Sequence, residues 1–144
     1  MKRIHLVVAS CLVLTACNQT TQQRFTKVLP AHHTVLPYSK QTVSVSGGCF
    51  PTKLLGVIAH IKERTGRQPI LTSGHRHGGK TGSYHRKCMA ADIRIPGMSD
   101  QAIIEVARTA PGVGGIGRYC NGIVHVDVGP KRTWSHCGRS KRRG

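Results

Sequence analysis

Ser73-Gly-His-Arg76, His85-Arg-Lys-Cys-Met-Ala-Ala-Asp92 and His125-Val-Asp127 are the stretches on which the reading of this 144-residue chain turns. They supply a His and an Asp seven residues apart, then a second His on a segment that alternates like a strand. Two imidazoles and one carboxylate are the ligand set of a catalytic zinc site, in which three protein ligands leave a fourth position for water. A zinc ion held in that way polarises a carbonyl and brings the pKa of its bound water to about 7. The spacing is not that of the HExxH helix, so the surroundings have to carry the argument. Asp92 sits among Ala91, Ile93 and Ile95, where a buried carboxylate is costly unless it is paired or bound to a metal. The other reading of Asp92 is a structural ion pair with an arginine. His125 and Asp127 are two apart and project from one strand face, while Val124, Val126 and Val128 take the other.

Together these stretches resemble the D-alanyl-D-alanine carboxypeptidase and murein endopeptidase family, whose fold is shared with the hedgehog signalling domain. That family reads Ser-x-x-Arg, then His-x-x-Gly-x-Ala-x-Asp, then a strand with the second His. Ser73 and Arg76 match the first element, and His85, Ala90 and Asp92 the second. His125, in Ile123-Val-His-Val-Asp-Val-Gly129, matches the third, in the branch that reads His-x-Asp. Cys88 stands where Gly is usual, and the resemblance covers about Cys49 to Trp134. It implies zinc on His85, Asp92 and His125, with Ser73 and Arg76 binding substrate. The planar fork of Arg76 suits a two-point grip on a carboxylate or carbonyl. The family also places a Glu three residues before the last ligand, or a His two before it, as catalytic partner. Gly122 and Ile123 occupy those positions here. Asp127 is the remaining carboxylate near the site, expected as general base or orienter of the zinc-bound water, with Arg76 as the other catalytic side chain. Asp127 as a partner behind His125, or as a ligand with His125 behind it, stays open. His75 and His77 are expected at the pocket rim, and Trp134 beside a C-terminal cysteine clip.

Lys2-Arg3, the apolar run from Ile4 to Leu14, and Leu14-Thr15-Ala16-Cys17 have the layout of a secretory signal, too short for a transmembrane helix. The last four residues look like a bacterial lipobox. Residues 1–16 are therefore expected to leave and Cys17 to be lipidated. Asn18 leans towards outer-membrane sorting, by resemblance to enterobacterial lipoproteins, with the protein facing the periplasm. Residues 17–46, rich in Gln, Thr, Ser and Pro, suit a flexible tether. The domain is expected over 47–137 and a basic tail over 138–144. About 90 residues make a small core for which staples are expected. Cys49, Cys88, Cys120 and Cys137 then imply two disulfides. Of three connectivities, Cys49–Cys88 with Cys120–Cys137 is favoured, because the second pair clips the tail to a hairpin. An all-thiolate zinc site is the competing reading.

The formal charge of +17 becomes +15 once Lys2 and Arg3 leave. Such a surface suits an anionic partner: peptidoglycan, lipid headgroups or other envelope polymers. Aromatics at 4% and the lack of a reading fold argue against nucleic acid. Residues 52–64 and 100–109 carry helical apolar stripes, while residues 69–72, 90–95 and 122–129 read as strands. The expectation is an α+β domain, a small antiparallel sheet packed against two helices. The reading reached is a monomeric, zinc-dependent, lipid-anchored peptidoglycan peptidase. Its alternative is a non-catalytic envelope module of the same fold that binds wall peptides or lipopolysaccharide.

Overall fold

The computed structural model describes residues 35–78 and 80–137. The expected signal segment, residues 17–34 of the expected tether with Cys17, and the basic tail lie outside the described residues. Along the chain run β1 (Ser39–Lys40), α1 (Thr52–Thr65), β2 (Ile70–Ser73), a 3-10 turn (Tyr84–Lys87), β3 (Ala90–Arg94), α2 (Asp100–Arg108), β4 (Gly115–Arg118), β5 (Val124–Asp127) and β6 (Arg132–Ser135).

Both helices form where apolar residues recur with the helical period. In α1, Leu54, Val57, Ile58 and Ile61 are buried, and Gly66 closes the helix in the left-handed region at φ 62°. In α2 the Ser99 hydroxyl accepts the Ala102 N–H at 3.2 Å, and Ile103, Ile104 and Ala107 turn inward. These side chains form one cluster with Leu71, Ala91, Ile93, Ile116, Val124 and Val126 from the sheet. Asp100, in the first turn of α2, is buried and takes the Arg118 guanidinium at 2.9 Å. No described helix is long and apolar enough to cross a membrane.

The sheet runs β1-β2-β3-β5-β4-β6. Its four central strands pair antiparallel, as expected, but the edge strands β1 and β6 pair parallel with β2 and β4. It is therefore a mixed sheet. Strand β1 also moves the start of the domain. Ser39 N–H bonds Pro69 O at 3.0 Å and Gln41 N–H bonds Leu71 O at 2.9 Å. Tyr38 is buried, and its hydroxyl donates to Gly47 O at 3.0 Å. The boundary expected at residue 47 thus falls inside the packed unit, which includes at least residues 38–46. One aromatic anchor within a polar stretch is enough to bind that segment down.

Register decides what meets on the outer sheet face. Ser73 lies opposite Asp92, Asp92 opposite His125, His125 opposite Gly117, and Gly117 opposite Trp134. These five residues form one row across five strands. A second row, two residues along, carries Ala90 opposite Asp127 and Gly115 opposite Arg132. Because strand side chains alternate, the intervening Ala91, Ile93, Ile116, Val124 and Val126 fall on the core face. A Cβ on Gly117 would stand 2.5 Å from the Trp134 ring, so only glycine lets that ring lie across the row.

Disulfides join Cys49 to Cys88 and Cys120 to Cys137, with Cα atoms 5.8 and 5.1 Å apart. This is the favoured pairing, and it leaves no thiolate for the competing four-cysteine zinc site. The first bridge ties the turn that carries His85 to the start of α1. The second ties the exit of β4 to the end of β6.

Candidate metal centre

His85, Asp92 and His125 meet on the outer face, each 4% exposed. His85 is delivered by the 3-10 turn, Asp92 by β3 and His125 by β5. Three atoms converge: His85 Nε2 lies 3.1 Å from His125 Nδ1 and 3.2 Å from Asp92 Oδ1, which lies 2.9 Å from His125 Nδ1. Ligands on a tetrahedral zinc, at about 2.0–2.1 Å from the metal, stand roughly 3.3 Å from one another. The triangle is therefore close to the size that the ion sets. Its chemistry fits as well. His85 Nδ1–H donates to Gly74 O at 2.7 Å, which leaves the Nε2 lone pair facing the triangle. Two imidazole nitrogens at 3.1 Å need a proton or a cation between them. These three residues could hold a metal ion. A second grouping, Cys49, His75 and Cys88, could not, because its two sulfurs are bonded to each other.

Asp127 stands elsewhere than expected. Its Oδ2 accepts from His125 Nε2 at 2.9 Å, so it touches the ring nitrogen that points away from the triangle. Its Oδ1 accepts the N–H groups of Gly115 and Gly129 at 2.9 and 2.8 Å, and Arg132 bonds both oxygens. With 0% exposure and these partners, it is placed to orient His125, not to take a proton from a water on the open side. Consecutive same-face positions on a strand lie about 7 Å apart, which carries Asp127 past the near side of the ring. The general-base expectation for Asp127 gives way to the partner-behind-His125 reading.

The electrostatics follow from burial opposed by hydrogen bonds. Burial would raise the Asp92 carboxyl, but bonds to His125 and His85 outweigh it and hold it far below the usual range. Burial likewise raises the Asp127 carboxyl, and bonds from His125, Gly129 and Gly115 bring it down to about 2. The His125 imidazole is pushed down by burial and further up by Asp127 and Asp92, ending above its ordinary value. Two carboxylates flank one ring, and a cation in the triangle would replace the proton on Nδ1.

Arg76 reaches the site by another route. Its Nη2 donates to Asp92 Oδ2 and its Nε to Ser73 Oγ at 2.8 Å, while the side chain stays 48% exposed. Ser73 and Arg76 are thus brought to the centre as expected. A cleft of about 580 Å³ opens over His85 and His125, bordered by Arg76, Lys80, Tyr119 and His136. No Asp or Glu is among the described residues lining it. Tyr119 and His136 gave no signal in the sequence. The Tyr119 hydroxyl lies 3.5 Å from Asp92 Oδ1, and its ring stacks on His136 with centroids 6.0 Å apart. Trp134 lies against the His125 ring, centroids 4.9 Å apart, so it walls the metal centre and does more than pack by the cysteine clip. His75 and His77 pack on each other at 4.5 Å and do not line the cleft.

The α+β domain thus sets a buried cluster of two histidines and one carboxylate at the floor of a basic cleft. Residues 31–127 match the family described as Peptidase M15, and the chain belongs to that family. Neither the curated proteins nor the solved structures contain a match.

Proposed function

We propose that this protein is a zinc-dependent peptidoglycan peptidase, hydrolysing a peptide bond in murein stem peptides or cross-links, on the fold shared by hedgehog domains and DD-peptidases. The observation that carries the proposal is the triangle of His85 Nε2, Asp92 Oδ1 and His125 Nδ1, in a domain whose family is peptidase M15. Zinc bound there would supply a Lewis acid and an activated water. The chain's own residues do the rest. Gly74 O and Asp127 hold the two imidazoles by their outer nitrogens, so both rings present lone pairs to one point. Arg76 and Ser73 stand at the edge of the centre, where the exposed part of the guanidinium can take a substrate carboxylate or carbonyl. Trp134 covers one side of His125 and limits water there.

The basic cleft supports a substrate that carries carboxylates, as wall stem peptides do, with Arg76, Lys80 and Arg132 around it. The lipobox at Cys17 supports attachment to the envelope, facing the periplasm. The deciding experiment is release of peptides from purified sacculi by the purified domain, abolished by a chelator and restored by zinc. Release that ignores the chelator would overturn the metal role. Retention on sacculi without any release would make the domain a wall-binding module.

A further inference from the structure

The family match ends at residue 127, yet β6, which follows it, builds part of the site. Arg132, Trp134 and His136 alternate along β6 and its end, and all three line the cleft. Arg132 is the most constrained of them. Its Nη1 bonds Asp127 Oδ1 at 3.2 Å and its Nη2 bonds Oδ2, a two-point clamp on a carboxylate that has no exposure of its own. The guanidinium carbon lies 4.6 Å from the Tyr84 ring centroid and 5.0 Å from that of Trp134. An arginine between two aromatic faces has little freedom to leave.

The clamp has a consequence two hydrogen bonds away. A carboxylate is free to turn about its own axis unless both oxygens are held. Gly115 N–H and Gly129 N–H hold Oδ1, and Arg132 spans both oxygens, so the plane is set and Oδ2 faces His125 Nε2. An ionised carboxylate only accepts hydrogen bonds, so the nitrogen that faces it must carry the hydrogen. With Nε2 taken up by Asp127, Nδ1 is the nitrogen turned to His85 and Asp92. We propose that Arg132 is a positioning residue of the metal centre, fixing through Asp127 the ring orientation of His125 that presents Nδ1 to the triangle. Its charge also offsets a buried carboxylate that would otherwise be costly to keep. The proposal rests on the zinc reading for its purpose and on hydrogen-bond geometry for its mechanism.

The test uses four forms of the protein besides the wild type: Arg132→Gln, Arg132→Lys, Asp127→Asn, and Asp127→Asn combined with Arg132→Gln. Two quantities are read. Zinc affinity is measured by competition with a chelator, and the hydrogen bond from His125 Nε2–H to Asp127 by the proton and nitrogen-15 NMR signal of that N–H. Loss of an outer partner of a metal-ligating histidine typically weakens binding by about 10- to 100-fold. Arg132→Gln is expected to fall in that range and to shift the Nε2–H signal as the bond to Asp127 loosens, while Arg132→Lys recovers part of both. In the Asp127→Asn background, Arg132→Gln should add almost nothing, because its effect passes through Asp127. A wild-type Nε2–H signal and wild-type affinity in Arg132→Gln would overturn the proposal. So would a loss that adds in full to that of Asp127→Asn. Should Arg132→Gln not fold, Arg132→Lys decides by the same two readouts. Wild-type protein that binds no zinc would sink the zinc reading, and the Nε2–H signal of the metal-free protein would still judge Arg132. Zinc binding without release from sacculi would count against the peptidase reading alone.

Discussion

On β3, Asp92 and Ile93 are neighbours in the chain and belong to different kinds of structure. Ile93, fully buried, lies in the hydrocarbon cluster between sheet and helices. Asp92, 4% exposed, is held by Arg76, His85, His125 and Tyr119. The core face asks for shape and volume, which several apolar residues can supply. The outer face asks for particular atoms at about 3 Å, and the cost of burying them is offset only when every partner is present. Stability and metal binding should therefore come apart across the thickness of one sheet.

The largest effect expected is on the outer face. Asp92→Ala should abolish stoichiometric zinc and peptide release while both disulfides and the helices persist, because no metal ligand belongs to the core. Metal analysis beside peptide mapping checks it, and full zinc occupancy would show that the centre needs no carboxylate. His85→Ala should behave in the same way. On the core face the pattern reverses. Ile93→Ala should cost about 2–5 kcal/mol of stability, as buried aliphatic truncations do, while the folded protein still takes up one zinc. Denaturant unfolding of the metal-free protein measures the first and metal analysis the second. Loss of zinc at ordinary stability would mean that the two faces are coupled.

The smallest effect lies at the seam, where Arg118 at the end of β4 bonds Asp100 at the start of α2. That bond holds the Asp100 carboxyl below its ordinary value. A carboxyl depressed in the folded state stabilises above its unfolded pKa, about 3.9, and loses that contribution as pH falls through the folded value. The stability difference between wild type and Arg118→Gln should thus be constant from neutral pH down to about 5 and shrink below about 4. Melting temperatures across that range decide it. A difference that grows on acidification would give the ion pair the wrong sign.

Much of this contrast could be read from the chain. Helical stripes placed α1 and α2 to within a residue or so, because burial along one face leaves a period that any window detects. The convergence of His85, Asp92 and His125 was legible because a carboxylate set between Ala91 and Ile93 is expensive to bury without a cation or a donor beside it. Other parts left no such trace. Strands of two and four residues at the sheet edges are too short and too polar to show an apolar alternation, so β1 and β6 went unread. With β6 went Arg132 and the place of Trp134, which depend on parallel pairing with β4. Alternation put Asp127 on the correct face of β5. It could not say which nitrogen of His125 the carboxylate would meet, since that depends on ring orientation and on Arg132.

The meeting of Gly117 and Trp134 has a historical side. A methyl group at position 117 would overlap the indole, so alanine there is acceptable only after position 134 has become smaller or has moved away. The reverse order is open, because shrinking Trp134 leaves Gly117 unharmed and only uncovers His125. Mutational drift through this pair is therefore one-way at its first step, and related chains should lose the tryptophan before they lose the glycine. A lineage with a side chain at 117 will have had to wall its metal centre from some other strand.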